Sequence, residues 1–238
     1  MAHVRCTVSG GSGMFVCAVV PIKCLDTSKK RLSSVLNPQE RKELTLAMLE
    51  DVLRALQTST VDKTIVVSND FTVLNFAHKF GAAYLAQKTS GLNSAIEEAT
   101  EWCVQEGAEA VLVLPADIPL LSSADVDRIV ELGGNCEEQT VVLSPSYDGG
   151  TNALFQSPPN LICVCFGPRS FLKHIKEAQS KGVCVRLHYS TSVATDIDSA
   201  EDLSRLLKTE SNTACRRVLG QFNLGSRVGA VVSRSKSP

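Results

Sequence analysis

Five short apolar runs recur along the chain, Phe15 to Val20, Thr64 to Ser68, Ala82 to Ala86, Ala110 to Leu114 and Val141 to Ser144, with helix-patterned stretches between them. Runs of this length, bounded by polar and turn residues, predict strands with both faces covered. Asn37-Pro38-Gln39-Glu40 reads as an N-cap, a proline at the first helical position and a capping glutamate. Leu44, Met48, Val52 and Leu56 follow at four-residue spacing, which predicts a helix laying one apolar stripe on a sheet. Asn93 is the expected cap of a second helix to about Glu106, and Ser122 to Asp125 and Ser199 to Asp202 match further capping boxes. Strands alternating with helices predict an α/β fold with a doubly wound, mostly parallel sheet in a single domain.

From Gly149 to His188 the pattern shortens. Strand-like pieces at Asn152 to Phe155, Ile162 to Phe166 and Val183 to His188 surround a helix starting near Pro168, and this excursion is the expected acceptor-binding region. Residues 1–13, ending in Gly10-Gly11-Ser12-Gly13, predict a flexible extension. The domain is expected over 14–208, followed by a loosely ordered tail over 209–238.

Composition narrows the function. With 238 residues, 44% of them hydrophobic, the chain can bury a substantial core. Its formal net charge of -1 excludes the broad basic surface of a general nucleic-acid binder and leaves room for a small anionic ligand in a local basic pocket. Nine cysteines, an odd number with no C-x-x-C pair, argue for a reduced, cytoplasmic protein. No apolar run approaches the roughly 20 residues of a membrane span, and no signal peptide is expected.

Candidate chemistry sits at strand ends. Pro21-Ile22-Lys23 and Lys29-Lys30-Arg31 follow the first strand, where open α/β sheets bind their ligands, and Lys23, Lys29 and Arg31 could cradle a triphosphate. A solvated basic loop is the competing reading, and no P-loop or dinucleotide glycine fingerprint is present. Asp117 follows the strand ending at Leu114, between Pro115 and Pro119, and suits a hard divalent cation such as Mg²⁺. A turn or capping aspartate is the alternative there. Asp196 and Asp198, two apart in an extended segment, can face one side while Ile197 packs inward. Two such anions repel unless a cation compensates them, and since Ser199 already suits the helix-capping role that is the alternative for Asp198, metal ligation is the favoured reading. Gly91-Leu92-Asn93 could meet a nucleoside or be a plain turn and cap. Gly149-Gly150-Thr151-Asn152 and Phe166-Gly167-Pro168-Arg169-Ser170 combine glycines, hydroxyls and helix-start amides, the usual ingredients for binding carboxylate or phosphate, with plain hairpin or helix-start turns as the competing reading. Cys163 and Cys165 are expected as small core residues. His174 could orient an acceptor, although packing is the commoner role.

Read in order, Val-Pro-Ile-Lys-Cys-Leu-Asp-Thr-Ser-Lys-Lys-Arg-Leu, Ser-Gly-Leu-Asn-Ser-Ala-Ile, Leu-Pro-Ala-Asp-Ile-Pro-Leu-Leu, Gly-Gly-Thr-Asn-Ala-Leu, Phe-Gly-Pro-Arg-Ser-Phe-Leu-Lys-His and Thr-Asp-Ile-Asp-Ser-Ala-Glu-Asp-Leu resemble the 2-phospho-L-lactate guanylyltransferase family over about residues 16 to 207. The resemblance implies a nucleotide-diphospho-sugar transferase-like fold (GT-A/Rossmann-like). It also implies transfer of GMP from GTP to 2-phospho-L-lactate, giving lactyl-2-diphospho-5'-guanosine and pyrophosphate, in coenzyme F(420) biosynthesis. Some similar enzymes use phosphoenolpyruvate. By the same analogy Asp117, Asp196 and Asp198 would hold Mg²⁺, while Lys23, Lys29 and Arg31 would contact the triphosphate. Pro21, Leu92 and Asn93 would lie at the nucleotide, and Thr151, Gly167 and Ser170 would bind the acceptor. A homodimer through the 150 to 190 region is a further expectation. Another nucleotidyltransferase of the same fold and a non-catalytic nucleotide sensor are the rival readings.

Overall fold

The computed structural model describes residues 13–134, 138–222, 224 and 227. Apart from Gly13, the expected N-terminal extension lies outside them. In chain order the elements are β1 (Val16–Pro21), α1 (Pro38–Gln57), β2 (Lys63–Ser68), α2 (Phe71–His78), β3 (Ala83–Ala86), α3 (Leu92–Gln105) and β4 (Ala110–Val113). There follow α4 (Ser123–Gly134), β5 (Thr140–Pro145), β6 (Thr151–Ser157), α5 (Ser170–Ser180), β7 (Cys184–Leu187), α6 (Thr191–Ala194), α7 (Ala200–Lys208) and α8 (Ala214–Gln221).

The strands form a seven-stranded sheet in the order β3-β2-β1-β4-β6-β5-β7. Only β6 runs antiparallel to its neighbours, β4 and β5, among the described pairings. The chain winds outward from β1 through β2 to β3, then returns to lay β4 on the other side of β1. That reversal creates a switch point between β1 and β4, where a crevice opens at the strands' carboxyl ends.

Alternation along β1 assigns its side chains to two cores. Val16, Ala18 and Val20 face α1, α2 and α4 with Leu49, Val52, Leu74 and Ile129. Cys17 and Val19 face α3 and α5 with Ile96, Ala99 and Ala178. Burying each such branched side chain contributes about 1.5–3 kcal/mol.

The row of apolar residues on α1 does not form one stripe on the sheet. Leu49, Val52 and Leu56 do face it, but Leu44 and Met48 join a third cluster with Ile197, Leu203 and Leu219. A helix with apolar residues on two sides can serve both clusters. That third cluster also draws in part of the stretch expected to be a loose tail: α8 packs on α1 through Cys215 and Leu219, and Asp51 of α1 accepts the N–H groups of Ala214 and Cys215 at 2.6 and 2.8 Å.

The capping boxes at Asn37/Glu40 and Ser199/Asp202 form as expected. Asn93, by contrast, lies inside α3, whose cap is Gly91 at a φ of 112°. Residues 162–166 are not a strand. Their amides are met by side chains instead of a neighbouring strand: Ile162 N–H by Gln156 Oε1, Cys165 N–H by His174 Nε2 and Phe166 N–H by Asn93 Oδ1, all within 2.9 Å. Cys163 is consequently exposed and Cys165 half-buried, so neither is the core residue the alternation suggested. The helix expected near Pro168 begins at Ser170.

Candidate active site

The crevice at the switch point is a cleft of about 270 Å³ lined by Pro21, Lys23, Lys29, Leu92, Asp117, Phe166 and Asp198 among others. An adjoining cavity of similar volume shares Pro21, Lys23 and Leu92 and is completed by Asn69, Gln87 and Gly91. The loop after β1 forms one wall and is anchored: Ile22 N–H reaches the Val67 carbonyl at 3.0 Å, and Leu25 N–H reaches Asp70 Oδ2 at 3.0 Å. A freely solvated basic loop would have neither tie.

Lys29 turns inward from this loop. Its backbone sits in the left-handed region at a φ of 48°, and its side chain is only 7% exposed. The ammonium lies 2.6 Å from Asp117 Oδ2 and 2.7 Å from Asp198 Oδ1. Burial opposes the charged form, but the charges of Asp117 and Asp198, with hydrogen bonds to both, outweigh it and hold the Lys29 pKa above the ordinary lysine value. Arg31, mostly exposed, approaches Asp198 Oδ2 at 3.9 Å, while Lys23 projects into solvent at the rim.

The aspartates come together through backbone pairing. Ile197 is fully buried and its N–H donates to the Asp117 carbonyl at 3.0 Å, which fixes the 196–198 segment beside the end of β4. Asp196 is held at a pKa of about 6, first by burial and next by the nearby Asp117 charge, with Asp198 adding to it. The oxygen donor set and this excess of negative charge suit a hard divalent cation. In the geometry present, however, the carboxylates of Asp117 and Asp198 converge on Lys29. Among the described residues no group of three or more His, Cys, Asp or Glu side chains is arranged to hold a metal ion.

The two glycine-bearing turns meet next to these carboxylates. Ser170 Oγ donates to Thr151 Oγ1 at 3.2 Å, and Ser170 N–H closes on the Gly167 carbonyl at 3.0 Å. Gly167 has a φ of 127°, which strains any other residue. Asn152, part of the Gly-Gly-Thr-Asn turn but given no role of its own from the sequence, reaches the acidic cluster. Its amide donates to the Val193 carbonyl at 2.9 Å and to Asp196 Oδ1 at 3.4 Å, joining the Thr151 turn to the acidic cluster. Asn93, placed by sequence at the nucleotide, grips Phe166 at the cleft wall. The signal for Asn152 was its place beside Thr151 in the Gly-Gly-Thr-Asn motif, yet nothing local revealed its carboxylate partner.

The fold is shared with nucleotide-handling enzymes of low sequence identity. A crystal structure of a candidate nucleotide-diphospho-sugar transferase from Desulfovibrio desulfuricans G20 superposes with a TM-score of 0.74 at 15% identity, over 90% of this chain and 97% of that one. A nucleotidyl transferase from Methanothermobacter thermautotrophicus superposes with a TM-score of 0.59 at 17% identity, over 82% and 96%. In sequence, a phosphoenolpyruvate guanylyltransferase from Rubrobacter xylanophilus is 46% identical over 194 residues, 81% of this chain and 94% of its own. A 2-phospho-L-lactate guanylyltransferase from Methanothermobacter thermautotrophicus is 36% identical over 207 residues, 87% of this chain and 90% of its own. The family described as "Guanylyl transferase CofC like" matches residues 16–234, so the chain belongs to the CofC-like guanylyl transferase family and is a nucleotidyltransferase.

Proposed function

We propose that this enzyme transfers GMP from GTP to a three-carbon carboxylic acid phosphorylated at C2, either 2-phospho-L-lactate or phosphoenolpyruvate, releasing pyrophosphate. With 2-phospho-L-lactate the product is lactyl-2-diphospho-5'-guanosine, a step toward coenzyme F(420). The observation that carries this reading is the continuity of the site: Asn152 links the Thr151 turn to Asp196, beside the Lys29, Asp117 and Asp198 cluster at the sheet's switch point. The Methanothermobacter relative bears the first acceptor's name, and the relative of higher identity from Rubrobacter bears the second.

In this reading the acceptor's phosphate oxygen forms a bond to the α-phosphorus of GTP, and the bond from that phosphorus to the bridging oxygen of pyrophosphate breaks. A phosphomonoester is already anionic near pH 7, so no general base is required. Thr151, Gly167 and Ser170 receive the acceptor's carboxylate end. Lys23, Lys29 and Arg31 neutralise the triphosphate and the departing pyrophosphate, and Pro21, Leu92 and Asn93 border the guanosine. Asp117, Asp196 and Asp198 would hold Mg²⁺, which when bound supplies charge neutralisation at the phosphates. Holding attacking and leaving oxygens in line is the remaining requirement, and the anchored β1 loop and α5 turn are suited to it.

The same proposal places the enzyme in the cytoplasm, which fits the seven described cysteines all being free. No described helix is long and apolar enough to cross a membrane. It also includes a homodimer, for which the exposed Leu172 and Leu187 near the β7 edge are the apolar side chains to be covered; sedimentation reads that directly.

The test is pyrophosphate release with GTP and Mg²⁺ and each acceptor in turn, with ATP and CTP as controls. Turnover dependent on GTP and one acceptor supports the reading and names the acceptor. Silence with both acceptors from protein that binds GTP refutes it.

A further inference from the structure

Between α5 and the Thr151 turn proposed to bind the acceptor runs a directed chain of hydrogen bonds ending on Thr151. His174, on α5, is fully buried, with its ring set edge-on to Phe166 at 5.1 Å between centroids. Its Nε2 lies 2.8 Å from the Cys165 amide nitrogen. A backbone N–H can only donate, so Nε2 must present its lone pair. Burial, with a smaller push from the Lys173 charge, lowers the ring's pKa to about 4, so the imidazole is neutral near pH 7. In a neutral imidazole with Nε2 accepting, the proton resides on Nδ1. Nδ1 therefore donates to Thr151 Oγ1, 3.0 Å away.

Ser170 Oγ donates to the same oxygen at 3.2 Å. The Thr151 hydroxyl then receives two hydrogens, which fill both of its lone pairs. Its own hydrogen has no acceptor among the described hydrogen bonds and is left for a ligand. We propose that His174 is a positioning residue which, through its Nδ1 hydrogen, makes the Thr151 hydroxyl an obligate donor to an anionic oxygen of the acceptor. This rests on the reading that Thr151 and Ser170 receive the acceptor. A hydroxyl fixed as donor favours a carboxylate and disfavours a carboxamide whose N–H groups would face it, so the relay sets acceptor chemistry as well as affinity.

The experiment compares acceptor KM, GTP KM and kcat in His174→Gln, His174→Asn and Thr151→Val, and reads the His174 tautomer in the unaltered enzyme by long-range ¹H–¹⁵N NMR. In His174→Gln the side-chain oxygen can still meet the Cys165 amide, but no donor remains at the Nδ1 position. Acceptor KM should rise about tenfold with GTP KM unchanged. Asparagine places an N–H near the Nδ1 position and should recover most of the affinity. Equal losses in the Asn and Gln variants would mark a structural role and overturn the proposal. So would an Nε2–H tautomer, which is read without any variant having to fold. If Thr151→Val raises acceptor KM while His174→Gln does not, the relay is wrong and the acceptor pocket stands. If Thr151→Val leaves acceptor KM unchanged, the pocket assignment falls, and the relay with it.

Discussion

Asn93 holds the Phe166 peptide unit from both ends: its Oδ1 accepts the Phe166 N–H at 2.9 Å and its Nδ2 donates to the Phe166 carbonyl at 3.4 Å. The pair is 73 residues apart in sequence and ties the start of α3 to the loop entering the Gly167 to Ser170 turn. Asn93→Leu should leave the partly buried Phe166 amide unmet, costing about 1 kcal/mol of stability and raising acceptor KM. Urea denaturation and steady-state kinetics check the two effects. Unchanged acceptor KM would show that the loop holds its shape without the clasp.

Lys29 keeps a left-handed backbone, which for a residue with a side chain costs about 1 kcal/mol. Its bonds to Asp117 and Asp198 offset that strain. Lys29→Met should reduce pyrophosphate release about a hundredfold, because the proposed mechanism then loses one of the cations that neutralise the triphosphate. It also leaves the two carboxylates without their partner. Melting temperature should therefore fall, and added Mg²⁺ should restore more of it in Lys29→Met than in Lys29→Met combined with Asp198→Asn. Equal responses would remove Asp198 from the proposed metal set.

Asp51 gives the fold a defined pH response. Its carboxylate caps the N-terminus of α8, yet burial is the larger effect and raises its pKa from 3.8 to about 6. A carboxyl whose pKa is raised on folding stabilises when protonated. Its contribution is therefore full below about pH 4 and is lost as pH rises through about 6. The expected change is up to about 3 kcal/mol. Chemical denaturation of the unaltered protein and Asp51→Asn between pH 4 and 7 should show the unaltered protein losing stability relative to the variant as pH rises. A flat difference would refute the assignment.

Gly133 lies in α4 against the ring of Phe155, which is fully buried. Alanine in place of glycine usually stabilises a helix by about 1 kcal/mol. Here the added Cβ would stand 2.0 Å from Phe155 Cε1 and 2.5 Å from Cδ1. Overpacking should reverse the sign, so Gly133→Ala is expected to destabilise by about 1–3 kcal/mol with little change in either KM. A rise in melting temperature would show that the ring can move aside.

Much of the fold was readable from local signals. The valine-rich runs marked β1, β2, β4 and β5, and the caps at Asn37/Glu40 and Ser199/Asp202 marked the starts of α1 and α7. Such signals act over a few residues, through side-chain period and orphan helix amides, and so survive in a linear reading. Residues 162–166 misled because their alternation of apolar residues fits a strand, while their amides are claimed by Gln156, His174 and Asn93.

The sequence by itself determined the alternating α/β order, the placement of Lys29 and Asp117 just beyond strand ends, and the membership of Thr151 and Ser170 in glycine-bearing turns. Tertiary structure decided which of these meet. The ammonium of Lys29 finds Asp117 and Asp198, 88 and 169 residues away, because β4 returns to lie beside β1 and the Ile197 amide bonds the Asp117 carbonyl. Asn152 meets Asp196, and His174 meets Thr151, for the same kind of reason. Those encounters depend on strand order and on which face each strand turns toward the cleft. No spacing along the chain encodes either, since contacts between distant segments form only when the whole core packs.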